Sequence, residues 1–215
     1  MSLAEFEAHL QHMNPAFRCY ACGDRSKKLA LVARVNNRLG PPADKTALSA
    51  VEAFLGPKAT TIKLFYATHD GVLMYEDSLA TRWSGSEFRG TGIAFFPVGQ
   101  WASTSSDMRS SLVAMGWSED DFTEWLRQGI AFCEIPQSAN YFVIQPTGQH
   151  AGKIYYADHD DFNPDPIAES FEAFLDSILA DPADFLYRHG CYTRYSDGRT
   201  DIQWIPKEYV AGAQT

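Results

Sequence analysis

Apolar residues along the chain follow two periods, which together predict a mixture of helices and short strands. The helical period is clear at residues 2–13 and 44–56, in a segment ending near Gly71, and at residues 165–179 and 181–190. Asp44 or Thr46 is the expected N-cap of the second of these helices, and Asp165 followed by Pro166 is the expected start of the fourth. Ser118 with the acidic residues after it predicts one more helix, which ends at Gly129.

Runs of β-branched and aromatic residues indicate strands at 29–35, 72–75, 93–98, 130–135, 141–145 and 153–158. The last two runs are close enough in sequence to pair as an antiparallel hairpin, and a second hairpin is expected near residues 196–198. Strands separated by single helices and short turns favour an α+β fold. We therefore expect a mainly antiparallel sheet flanked by helices.

The break at Gly40, Pro41 and Pro42 suggests a division of the chain. Residues 1–40 are interpreted as an N-terminal extension that packs on the main domain. Residues 41–215 are then the main domain, with the C-terminal hairpin as an addition to it.

The balance of acidic and basic residues limits the kinds of partner that the protein is expected to bind. The chain has 27 acidic and 18 basic residues and a net charge of −9. This balance disfavours direct binding of DNA or RNA and favours a basic partner. No apolar run reaches the ~20 residues of a membrane helix, and the acidic N-terminus does not resemble a secretory signal. We therefore expect a cytoplasmic protein with reduced thiols and no membrane contact.

Residues 142–179 read as strand, turn, strand, acidic tip and helix, and they share short motifs with a known family. The motifs are His69-Asp70-Gly71, Ile135-Pro136, Tyr141-Phe142, Gly152-Lys153-Ile154-Tyr155, Asp158-His159-Asp160, Ile167-Ala168, Ser170-Phe171 and Phe174-Leu175. Through these motifs, which fall within residues 44 to 180, the chain resembles the SUKH superfamily. That superfamily includes fungal regulators of cell-wall synthesis and many bacterial immunity proteins.

The resemblance implies a compact α+β domain that binds another protein and has neither enzymatic activity nor a cofactor. In bacterial members the partner is typically a toxin domain, often a nuclease, and a basic toxin would suit the acidic charge of this chain. The surplus carboxylates at Asp158, Asp160 and Asp161 are the expected contact residues. Trp83 and Trp101, in an insertion-like stretch between the two halves of the resemblance, are added as candidate anchors.

Two alternatives remain for the acidic tip. Asp158, His159 and Asp160 could hold a divalent metal for a hydrolase, because carboxylate oxygens are its usual ligands. However, an EF-hand loop requires glycine at its sixth position, where this chain has Asn163. The chain could also be a regulatory adaptor instead of an immunity protein.

The N-terminal segment contains four possible zinc ligands within fourteen residues. They are His9, His12, Cys19 and Cys22. Tetrahedral coordination by two nitrogens and two sulfurs is chemically reasonable, but the order and spacing differ from those of common zinc fingers. We interpret the two cysteines as reduced thiols, with structural zinc as the alternative.

Overall fold

A computed structural model of the chain describes residues 3–11, 18–21, 24–30, 36–76, 79–83, 86–136, 138–160 and 163–189. The helices are α1 (Leu3–Gln11), α2 (Lys45–Leu55), α3 (Thr60–Thr68), α4 (Trp101–Ala114), α5 (Glu124–Gln128), α6 (Phe171–Ala180) and α7 (Pro182–Arg188). The strands are β1 (Arg18–Ala21), β2 (Asp24–Ala30), β3 (Asn36–Leu39), β4 (Val72–Glu76), β5 (Leu79–Trp83), β6 (Ser86–Gly90), β7 (Ile93–Phe95), β8 (Ile130–Ile135), β9 (Asn140–Ile144) and β10 (Ile154–Ala157).

Six strands form the central sheet in the order β10-β9-β8-β7-β4-β3, and every neighbouring pair is antiparallel. The pairs β1-β2 and β5-β6 form two separate two-stranded sheets. The predicted α+β fold with a mainly antiparallel sheet is therefore confirmed, as is the hairpin between β9 and β10.

The two faces of the sheet are covered unequally. On one face the large core includes buried side chains from α1, α2, α3, α6 and α7. On the other face α4 packs on β8 and α5 on β9, and alternate residues such as Val143 and Tyr155 form a smaller core there. Over β7, β4 and β3 the same face carries a groove instead.

Several predicted helix boundaries agree with the structure because the caps are local. The side chain of Asp44 accepts the N–H of Ala47 and begins α2, and Asp181 accepts the N–H of Asp184 and begins α7. These are hydrogen bonds within one turn, which the sequence alone can indicate.

Two other predicted helices are wrong in their boundaries. α6 begins at Phe171 with Ser170 as its cap, not at Asp165, because the backbone of Ala168 pairs with Ile154 and holds that segment extended. Ser118 caps only a 3-10 turn, Glu119–Asp121, and α5 starts afresh at Glu124. The sequence analysis did not predict α4.

The proposed division at residue 40 stays a prediction, although β3 just before it is part of the main sheet and Phe6 of α1 lies in the large core. The expected C-terminal hairpin and residues 31–35 of the expected first strand lie outside the described residues. No helix in the part that the structure describes is long and apolar enough to cross a membrane.

Candidate partner-binding surface

The acidic tip, residues Asp158–Asp160, follows β10 and is held by a buried asparagine. Asn140, at the start of β9, is 3% exposed. Its Oδ1 accepts the backbone N–H of His159 at 3.1 Å and lies 2.7 Å from the ring Nδ1 of the same residue. Its Nδ2 donates to the hydroxyl of Tyr156 at 2.6 Å, which anchors the amide in the core. The tip is thus fixed to the sheet by side-chain bonds as well as by its own turn.

The three tip side chains differ in exposure. Those of Asp158 and His159 are about one-third exposed, whereas that of Asp160 is 85% exposed. The Nε2 of His159 lies 3.5 Å from the nearer Asp160 oxygen, and its Nδ1 lies 3.8 Å from Asp158 Oδ1. Possible metal-ligand atoms of the three residues lie within 4.8 Å of one another. However, His159 Nδ1 already faces Asn140 Oδ1, so this nitrogen is not free to coordinate an ion.

Two exposed apolar side chains lie at the end of α4 that adjoins the tip. The indole N–H of Trp117 donates to the backbone carbonyl of His159 at 3.3 Å, which ties the chain after α4 to the tip. Val113 is 41% exposed and Met115 is 51% exposed. We call Val113, Met115, Trp117 and the acidic tip together the α4–tip surface. It combines apolar anchors with a charged rim, the composition typical of protein-binding sites.

The remaining predicted contact residues are Trp101, Trp83 and Asp161, and the structure describes the side chain of only the first. Trp101 is fully buried: its indole N–H donates to the Phe96 carbonyl at 3.3 Å, and its ring contacts that of Tyr66 edge-on. The expectation that Trp101 touches a partner is therefore wrong, because a large apolar ring at the first turn of α4 was needed to fill the core. The side chain of Trp83 and the whole of Asp161 lie outside the described residues.

The zinc alternative also stays a prediction. His9 lies on α1, and its Nε2 is 3.3 Å from the hydroxyl of Tyr75. Burial lowers the pKa of His9, which favours the neutral ring. His12 and Cys22 lie outside the described residues, as does the side chain of Cys19.

The sequence analysis missed Val113, Met115 and Asn140. Val113 and Met115 lie at the end of α4, which the sequence does not predict, and Asn140 lies just before the predicted strand 141–145. The signal for Asn140 is a polar residue at the start of an apolar strand, opposite the end of the next strand in the hairpin register.

The model of the SMI1 / KNR4 family (SUKH-1) matches residues 42–177, which is more than half of the chain. The chain belongs to the SUKH-1 family. The matched range extends from just before α2 into α6, so it includes the whole sheet except β3 and the complete α4–tip surface. No curated protein matches this SUKH-1 chain significantly.

Proposed function

We propose that this SUKH-1 protein is a non-enzymatic protein-binding domain. In this proposal it is an immunity protein that neutralises a basic toxin domain, such as a nuclease, by covering it. The observation that supports the proposal is the α4–tip surface, where Val113 and Met115 are exposed shortly before Trp117, whose indole N–H donates to the carbonyl of His159 between the two aspartates. An apolar centre contributes most of the affinity of such a contact, while surrounding carboxylates accelerate the encounter with a cationic partner.

The rigidity of the tip supports the same proposal. A contact surface that is already ordered loses less conformational entropy on binding than a flexible one. The tip is ordered by Asn140 and Trp117, and both contacts come from elements far away in sequence. The net charge of −9 favours the encounter with a cationic target.

The direct test is co-expression with the toxin domain encoded beside this gene. The wild-type chain is expected to restore growth and to bind the purified toxin. A Val113→Ser, Met115→Ser double variant should bind at least tenfold more weakly, since both substitutions remove apolar anchors. Asp158→Asn with Asp160→Asn should mainly slow association and reduce its dependence on salt.

Matched controls come from the opposite helical layer. Leu64 on α3 is 56% exposed, so Leu64→Ser removes a similar apolar group away from the proposed surface. Glu52→Gln removes one exposed negative charge on α2. Both control variants should protect as well as wild type. Loss of protection in the controls, or full protection by the α4–tip variants, contradicts the proposed surface.

The tip ligand geometry also admits a second function, a metal-dependent hydrolase centred on Asp158, His159 and Asp160. Metal analysis of the purified protein with a phosphodiester assay separates the two functions. Stoichiometric metal together with hydrolysis that Asp158→Asn abolishes would favour the hydrolase. A regulatory adaptor would bind a protein through the same surface but would not protect against a toxin.

A further inference from the structure

A groove lies over the part of the sheet that α4 and α5 leave uncovered. Its volume is about 460 Å³. Its floor is a row of directly paired residues across the strands, in which Leu73 pairs with Ala94 and Ala94 pairs with Glu134. Phe96 contributes an apolar side, and Arg38 lines the groove from the edge strand β3. We call this feature the sheet groove.

Some charged side chains that line the sheet groove already have hydrogen-bond or ion-pair partners within the protein. Asp70 Oδ1 accepts the backbone N–H of Val98 at 2.8 Å. Arg38 forms an ion pair with Glu76 at 2.7 Å. These two charged residues therefore have structural partners on the rim.

Glu134 is different. Within the described residues its carboxylate has neither a hydrogen bond nor an ion pair. It is half-buried, and burial raises the pKa of its carboxyl group. A carboxylate that is partly removed from water without a partner destabilises the free protein, and a cation placed against it would remove that cost.

We propose that the sheet groove binds an extended basic segment of a partner protein, with a lysine or arginine side chain paired to Glu134. The apolar floor of Leu73 and Ala94 suits the aliphatic part of such a side chain, and the carboxylate suits its charged end. Charge complementarity selects this occupant, because the charged group of the groove that has no partner among the described residues is the negative Glu134. The site is separate from the α4–tip surface and does not depend on the immunity function.

The two surfaces lie at opposite ends of one helix. Gln100, just before α4, lines the sheet groove, whereas Trp117, just after α4, contacts the tip. A helix of this length is about 20 Å long. One partner of ordinary interface size could therefore contact both surfaces, but each can be tested alone.

The test is an NMR titration of the full ¹⁵N-labelled chain with acetyl-Val-Arg-Val-Arg-Val-amide. The control peptide has glutamine in place of both arginines. The arginine peptide should give saturable shifts at the amides of Leu73, Ala94 and Glu134. Glu134→Gln should weaken its binding about tenfold, as expected for loss of one charge-assisted bond. Glu134→Asp, which keeps the charge, should weaken it less, and Asp160→Asn should leave it unchanged.

Several results would overturn the proposal. They are equal binding of the glutamine peptide, unchanged binding in Glu134→Gln, shifts centred on the tip, and no saturable shift at the groove. Contacts in the free protein between the groove and residues 190–215, or between the groove and a second copy of the chain, would also overturn it. Because Glu134→Gln is nearly isosteric and removes a partly buried charge, a melting temperature equal to or above that of the wild type verifies that the variant is folded. Failure here leaves the co-expression result with the tip variants intact.

Discussion

Replacing Asn140 with alanine is the sharpest test of how the acidic tip is held. The side chain is 3% exposed and joins the tip to the core through three polar contacts. Its Oδ1 faces the backbone N–H and the ring Nδ1 of His159, and its Nδ2 donates to Tyr156. The hydroxyl of Tyr156 still donates to the carbonyl of His189 after the substitution, so one polar group of the network keeps a partner.

The expected loss can be worked out from these contacts. Each intramolecular hydrogen bond contributes a net ~0.5–1.5 kcal/mol to the free energy of unfolding, and a donor left unpaired in the interior adds to the loss. Three contacts therefore predict a loss of about 2–4 kcal/mol for Asn140→Ala. In a chain of this size, that corresponds to a fall in melting temperature of roughly 5–15 °C.

Urea denaturation measures this loss, and hydrogen exchange of the His159 amide measures the local effect. The amide should exchange much faster in Asn140→Ala, because its acceptor is gone. Asn140→Asp keeps an oxygen acceptor for this amide but loses the donor to Tyr156, so it should retain more protection at His159. A stability loss below ~1 kcal/mol, or unchanged exchange at His159 in Asn140→Ala, would refute this account of the tip.

Three further predictions concern the core, pH and metal. Phe174 is fully buried and its ring packs on that of Phe142, so Phe174→Ala should lower the free energy of unfolding by ~3–5 kcal/mol in urea titrations. Burial lowers the pKa of His189 to about 4, below its ordinary value of 6.5. As pH falls from 6.5 towards 4 the unfolded chain binds this proton first, so stability present above pH 6.5 should decline by up to roughly 3 kcal/mol. A pH series should lose this contribution in His189→Asn, and a slope that persists would contradict the assignment. If Cys19 and Cys22 bind zinc, EDTA should lower the melting temperature of the wild type but not of a double serine variant.

The elements that could be predicted from the sequence are those whose signals are local. α2 and α7 were found because an aspartate caps each helix within its own first turn. The β9–β10 hairpin was found because two aromatic-rich runs are separated by a short turn. By contrast, the start of α6 depends on a pairing of Ala168 with Ile154, a tertiary contact that competes with the Asp165-Pro166 signal.

α4 was missed because its buried stripe is not fully apolar. The buried positions of this helix are Trp101, Ser105, Met108 and Leu112, which do have helical spacing. Ser105 interrupts the apolar pattern, yet it is satisfied in the core. Its hydroxyl donates to the carbonyl of Trp101 at 2.6 Å and accepts the N–H of Ala131 at 2.9 Å. Serines also have weak helix propensity, so neither period nor composition indicated this helix.

The candidate site was predictable only in part. The sequence shows that Asp158 and Asp160 are surplus carboxylates after a strand. It does not show that Asn140, nineteen positions earlier, holds their turn, or that Trp117 reaches the same turn across 42 positions. Such long-range contacts are set by the register of the sheet and the packing of α4. Hence the contact role of Asp158 and Asp160 stays a prediction, whereas Trp101, the expected apolar anchor, is a core residue.

The position of α4 explains why two candidate surfaces exist on one face of this sheet. Met108 and Leu112 pack the helix on the half of the sheet formed by β8, β9 and β10. The end of α4 therefore presents exposed Val113 and Met115 shortly before Trp117, which contacts the tip. Beyond α4 the sheet keeps the groove, where the carboxylate of Glu134 on β8 has no ion pair or hydrogen bond among the described residues. If α4 were centred on the sheet, it would cover the groove, and Val113 and Met115 would lie farther from the tip. Partial coverage is thus the common cause of both surfaces, and it accounts for their separation by about one helix length.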